Sequence, residues 1–328
     1  MVAASLFASK TQVPLPRASR VAIVGRDVIA VTEDGKGVVL AGDGRGHFRE
    51  AAQFAPGDNP ASIAVADLNG DGTPDLVIAN HERRYATVLL GPSYTGPRRI
   101  ELDVTPHAHF VAVADLDGDG KPDLAVNDMR GKRVLVYWGN GDGTFAREPT
   151  AAATGSKGYA YIDVAVLGRR LFVPTWPESK LAVLTARGRT LAQEALFDLP
   201  DPSFFAIAVG DDVAVATYSG NTSDTSRDGV VLLPRGQPPA KAHASGHGPT
   251  SLASGDIDGD GHPDLVVCDQ GGDTVTVLLG GQGTLREGET LRAQHPQGVA
   301  LGDLDGDGKA DLAVASSDGV IVFLTRSP

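Results

Sequence analysis

The chain has 328 residues, 41% hydrophobic and 21% charged, and contains no apolar run of the roughly 18 residues that a membrane-spanning helix needs. Its formal charge of −12 argues against a phosphate-backbone partner, which lysine and arginine would have to neutralise. Forty-one glycines and 21 prolines break bursts of Val, Ile, Leu and Thr into short pieces, so many short strands are expected and the class is all-β.

Residues 1–20 lack a charged head followed by an apolar core, so no secretory leader is legible. The expected location is cytoplasmic, or extracellular or periplasmic if a leader has been removed. Leu6 to Val13 reads as a strand, and Phe7 falls where Phe48 and Phe145 fall after glycine-rich turns. Val21 to Ala30 is two apolar strands joined by a tight turn at Gly25 and Arg26. Gly42-Asp43-Gly44-Arg45-Gly46 resembles a phosphate cradle at first sight, but no helical pattern follows it, so a hairpin is expected. Next comes an acidic loop, Asp67-Leu68-Asn69-Gly70-Asp71-Gly72-Thr73-Pro74-Asp75, whose frame returns from Asp115, Asp256 and Asp303.

The first aspartates of these loops are 48, 141 and 47 residues apart. Because 141 is three times 47, the long gap should hold two repeats without the motif. Val164 to Val173 and Ala206 to Val215 supply them, each with a tight turn where the acidic loop would be. Seven units result, beginning near residues 20, 62, 110, 160, 205, 251 and 298. In the third, the first strand and its loop are followed by a strand Asp123 to Asn127, a strand Arg133 to Trp138, the turn Gly139 to Gly143 and a polar strand from Thr144. Four strands per unit of this length make a propeller blade. Only two strands follow the last acidic loop, so residues 1–16 are expected to complete the last blade. The predicted fold is a seven-bladed β-propeller of four-stranded blades, one domain over 1–328, closed by its N-terminal strand, which covers an otherwise exposed sheet edge of the last blade. Cys268, alone and next to the apolar run Leu265 to Val267, reads as a buried thiol.

Alternating carboxylates on a tight loop are what Ca²⁺, a hard cation wanting six to eight oxygens, requires. The expected ligands are Asp67, Asn69, Asp71 and Asp75; Asp115, Asp117, Asp119 and Asp123; Asp256, Asp258, Asp260 and Asp264; and Asp303, Asp305, Asp307 and Asp311. The backbone carbonyls of Thr73, Lys121, His262 and Lys309 complete the sets. An EF-hand would need Glu at position twelve, where this chain has Ile78, Val126, Val267 and Val314, so each loop runs into a strand. Four bound ions would bring the formal charge from −12 to about −4.

These loops resemble those of FG-GAP and VCBS repeat proteins, relatives of the integrin α-subunit propeller, over nearly the whole chain. The Phe-Gly and Gly-Ala-Pro tripeptides that name the family are poorly kept, as in Phe54-Ala55-Pro56-Gly57, and blades one, four and five lack the loop. The resemblance implies that the calcium sites are chiefly structural and that the protein serves adhesion or recognition of proteins and glycans.

The face opposite the acidic loops offers the residues a ligand would meet. The loops entering the first strands carry His107, His109, Tyr159, Tyr161, Phe204, His247 and His295. Those leaving the second strands carry Asn80, His81, Arg83, Arg84, Asp128, Arg130, Trp176, Tyr218 and Asp269. Such a mouth can bind a sugar, a protein or a small molecule, or perform acid–base chemistry. Two readings follow: a noncatalytic recognition module, and a lyase or cyclase using His81, His109, Tyr161 or His295 as acid or base. The extended loop Ser219 to Asp228, which includes the triplet Asn221-Thr222-Ser223, is expected either to cover the mouth or to be a surface insertion. No nucleophile, zinc or cofactor motif appears. A monomer is expected.

Overall fold

The second strands of the four acidic units, Asp75–Asn80, Asp123–Asp128, Asp264–Asp269 and Asp311–Ser316, are buried along their whole length. A strand covered on both faces must lie between packed layers, which is why these segments read as unbroken apolar runs rather than alternating ones. The fourth strands, such as Phe48–Phe54 and Thr284–Arg292, are mostly exposed. Burial that declines outwards along each sheet is what blades stacked around an axis produce.

We describe a computed structural model covering residues 5–326 apart from 105–108, 161–162, 219–227, 237–241 and 282. Seven antiparallel sheets form a ring. Blade 1 consists of Ala18–Val24, Asp27–Thr32, Gly37–Gly42 and Phe48–Phe54, from the axis outwards. The first strands of blades 2 to 7 begin at Pro60, Val111, Tyr159, Ser203, Pro249 and Gly298. In blade 7 the strands Gly298–Gly302, Asp311–Ser316 and Gly319–Thr325 are completed by Phe7–Pro14, which pairs antiparallel with Gly319–Thr325 so that Thr11 faces Val322. The ring closes as the sequence leads one to expect.

Seven clusters of buried apolar side chains glue the blades together, each formed mainly by two neighbours. Val266, Cys268, Val275 and Val277 of blade 6 pack on Val299, Leu312, Val314 and Phe323 of blade 7. Between blades 3 and 4, Ala125, Val134 and Val136 meet Leu171, Val173 and Ala182. Cys268 is fully buried in this packing, its thiol pushed up to about 12 by desolvation. Where no acidic loop is present, a two-residue turn joins the first two strands, and Gly25, Gly168 and Gly210 supply its positive φ of 57°, 60° and 58°.

Two elements differ from the expected pattern. The fourth strand of blade 3 is Thr150–Ala153, not a strand from Thr144. Gly141 and Gly143 both take positive φ and the Asp142 carboxylate accepts the Thr144 N–H, so the turn extends and Phe145 makes only a single bridge to Gly139. In blade 4 the first strand is split into Tyr159–Ala160 and Ala165–Leu167, both paired with Arg170–Trp176.

No helix among the described residues is long and apolar enough to cross a membrane. The closing strand contributes Phe7, 6% exposed, with its ring 5.5 Å from that of Phe323. Phe7→Ala should cost about 3 kcal/mol of unfolding free energy in a denaturant titration, whereas Ser9→Ala, on the exposed side of the same strand, should stay within about 0.5 kcal/mol. Equal effects would mean that the strand does not seal the ring through its core-facing side.

Candidate functional site

Each acidic loop is wound by its own carboxylates. In blade 3, Asp115 accepts N–H bonds from Gly118 and Gly120, Asp117 from Asp119, and Asp119 from Lys121. Blades 6 and 7 repeat the pattern from Asp256 and Asp303. In Asp117 and Asp119 it is Oδ1 that serves the backbone, which leaves Oδ2 to face outside partners. Three side chains in each of these loops bring an oxygen within 4.8 Å of one another: Asp115, Asp117 and Asp123; Asp256, Asp258 and Asp260; Asp303, Asp305 and Asp311. An all-oxygen donor set on a coil fits a hard divalent cation and suits soft thiolate-seeking metals poorly. Blade 2 differs: Asn69 stands at the third position and donates its amide to Asp71 Oδ2 at 2.9 Å, so that loop carries one charge fewer.

The ninth-position aspartates do more than face a cation. Asp75, Asp123, Asp264 and Asp311 are fully buried. One oxygen of each accepts the N–H of the second loop residue, Leu68, Leu116, Ile257 or Leu304, at 2.7–2.9 Å. The other accepts an N–H at or just past the end of the third strand, from Gly91, Gly139, Gly280 or Thr325, at 2.7–2.8 Å. Desolvation, with help from neighbouring carboxylates, raises all four, Asp264 to about 6. Sequence reasoning missed this second task, although a signal was present. Blades 1 and 5, which have no acidic loop, keep an aspartate at the start of the second strand, and Asp27 and Asp212 accept the N–H of Gly42 and Arg235 there.

Two arginines reach the free oxygens. Arg189, in a turn of blade 4, donates Nε to Asp117 Oδ2 at 2.9 Å and Nη2 to Asp119 Oδ2 at 3.3 Å. Burial would raise the Asp117 carboxyl, but the Arg189 bond and the Asp119 N–H outweigh it and hold the group below its ordinary value. Arg286 similarly takes Asp258 Oδ2 at 3.2 Å.

The opposite mouth is more selective than the sequence implied. Asn80, Asp128 and Asp269 end their strands fully buried and turned inward, where they bond Thr87, Arg133 and Thr276. They tie second strands to third strands. His295 is exposed on the rim, with Nδ1 3.1 Å from Asp273. Arg83 pairs with Asp58, Arg84 donates to the Val104 carbonyl, and Arg130 is exposed beside its turn. Trp176 is 36% exposed in blade 4. Tyr218 lies between Phe204 and His247, with ring centroids 6.0 and 5.7 Å away, and His247 Nδ1 is 2.7 Å from the buried Asp228. His107, Tyr161 and residues 219–227, including the Asn221 triplet, lie outside the described residues, as does the side chain of Tyr159.

His81 and His109 do come together, with ring centroids 4.0 Å apart. They line a cavity of about 460 Å³ with Arg17, Arg20, Glu33, Asn59 and Gln297, where the leading ends of the first strands of blades 1, 2, 3 and 7 meet. Arg20 was not expected there. It is the one charged residue within the seven first strands, and that interruption of the apolar run Ala18–Val24 was the available signal. Deeper in the channel the lining turns apolar, with Ile63, Val111, Val113, Ile207 and Leu252 around Asp163, whose carboxyl burial raises to about 7. A second cavity of about 450 Å³ opens between blades 5 and 6 on the acidic-loop face, beside His262 and Arg235.

No curated protein sequence matches the chain significantly. Its fold is shared with the crystal structure of BBS1N in complex with ARL6DN, at 14% identity, a TM-score of 0.70 and coverage of 98% of this chain and 97% of that one. Virginiamycin B lyase from Staphylococcus aureus, crystallised as an inactive variant with quinupristin, matches at 12% identity and a TM-score of 0.68, covering 97% and 99% of the two chains. The WD40 propeller domain of Doa1 matches at 12% and 0.67, covering 97% and 96%. At such identities these likenesses show the fold alone. The model of the FG-GAP-like repeat matches residues 25–78, 115–166 and 256–314, half of the chain, and this protein belongs to that family.

Proposed function

We propose that this protein is a calcium-stabilised, noncatalytic recognition module that binds a glycan, protein or small-molecule ligand at the mouth opposite its acidic loops. The observation that carries the calcium part is the convergence of three carboxylates within 4.8 Å in each of three loops, with only oxygen donors present. Unneutralised, such groups repel one another, and burial raises the ninth-position carboxyls by disfavouring their charged form. Calcium would relieve both costs. The BBS1N propeller, similar in fold, is in complex with a protein partner, which favours recognition. The candidate acid–base groups also disperse: His81 and His109 adjoin, while His295 is committed to Asp273 on the rim.

Asp119→Asn tests the calcium part, because asparagine keeps the acceptor for the Lys121 N–H and loses only the charge. The melting temperature in calcium should fall by about 2–4 °C and in excess chelator move by less than about 1 °C. An equal fall in both would make Asp119 a structural residue without a metal role. Arg189→Ala removes a competing cation, and a calcium titration should show one site tightened about two- to fivefold.

The pH dependence has a definite sign. A carboxyl raised in the folded state, such as Asp264 at about 6 against an ordinary 3.8, adds stability below its unfolded value that is lost as pH rises through its folded value. In chelator, stability should therefore decline between about pH 4 and pH 7. Calcium binds only the ionised loops, so the melting-temperature difference between calcium and chelator should widen over that range. A difference that stays constant with pH would separate calcium from these carboxylates.

A further inference from the structure

Arg20 stands at the throat of the mouth with three of its five N–H donors unused among the described residues. Its Nη1 donates to the Ser19 carbonyl at 2.7 Å and the Gln297 carbonyl at 3.0 Å, while Nε and Nη2 have no protein partner among the described residues. Among the described residues no carboxylate forms an ion pair with it. The acid on the rim, Glu33, is engaged by Arg17 at 3.3 Å and by the Gln297 amide at 2.8 Å. Burial lowers the Arg20 pKa, opposed by more distant charges including Asp163 and Glu33. A partly desolvated guanidinium without an anion is costly, and a cost at an open cavity marks where a ligand would relieve it.

We propose that the mouth cavity binds a small monoanionic carboxylate, gripped by Nε and Nη2 of Arg20 and flanked by Asn59 and the His81–His109 pair. This rests on the mouth-binding part of the proposed function and names the ligand class. The planar fork of arginine matches a carboxylate with two parallel hydrogen bonds. A volume of about 460 Å³ suits a ligand of sugar-acid size. Glu33 at the rim repels a dianion more strongly than a monoanion, so inorganic phosphate fits less well. The imidazole pair offers a flat wall, and Asn59, already donating to His81 Nδ1 at 3.2 Å, holds one ring in place.

The test uses the full chain saturated with calcium and titrates glucuronate, glycolate, glucose and inorganic phosphate by calorimetry. The carboxylates should bind at least about tenfold more tightly than glucose or phosphate, and Arg20→Gln and Arg20→Lys should each weaken them by about ten- to a hundredfold. Arg20→Lys keeps the charge, so a weakening in a variant with an unchanged melting curve reports the fork and not the fold. Glucuronate binding well above glycolate identifies a sugar acid as the source, and equal binding identifies a simple carboxylate; both support the proposal. No carboxylate binding up to about 10 mM overturns it, as does phosphate binding as tightly as glucuronate. Glucose binding that His81→Ala abolishes would retain the mouth and discard the carboxylate. Glucuronate binding unaffected by Arg20→Lys and His81→Ala would place the ligand elsewhere and discard the mouth reading itself.

Discussion

A buried aspartate at the start of the second strand is the point on which each acidic blade turns. Its two oxygens hold the second residue of the loop and the end of the third strand, so the loop, the second strand and the third strand share one polar anchor. A buried carboxylate without both bonds would be costly, and with both it fixes the register of three segments at once. Asp27 and Asp212 show the same anchor surviving in blades without a loop. The architecture thus rests on a strand-tying carboxylate to which an acidic coil has been added in four blades. Loss of the coil leaves the blade intact, which is why blades 1 and 5 close with a two-residue turn in the same place.

Much of this was legible because the repeat is written in residues whose roles are local. The spacing of near 47 residues, the glycine turns and the apolar second strands each report a conformation that the neighbouring sequence alone dictates, and the ring follows from counting them. The tertiary roles were harder to see. Asp128 and Asp269 looked like mouth residues because they sit at the exits of strands, yet both are fully buried against Arg133 and Thr276. Strand position says which end of the sheet a residue occupies but not whether its side chain bonds inward. Arg189 could not be linked to Asp117 from sequence, since they lie 72 residues apart and meet only because blades 3 and 4 are neighbours. Arg20 was overlooked for the opposite reason: an isolated charge in an apolar strand reads as an irregularity until the channel around it is known.

The two faces are also mechanically connected. The cavity is built by leading ends of blades 7, 1, 2 and 3, and three of these carry acidic loops at the far end of the same first strand. Asn59 precedes the strand Pro60–Ala66 that runs into Asp67, His109 precedes Val111–Ala114 and Asp115, and Gln297 precedes Gly298–Gly302 and Asp303. If the loops hold calcium as proposed, each ion fixes the lower end of a strand of four to seven residues whose upper end presents a mouth residue. Arg20 comes from a loop-free blade, and it is held instead by the Gln297 carbonyl of a neighbour that carries an acidic loop. The ion need not touch the ligand to matter to it. By removing loosened states of blades 2, 3 and 7 from the ensemble, a bound ion would raise the fraction of molecules in which all four contributors stand together, and apparent affinity would rise with that fraction.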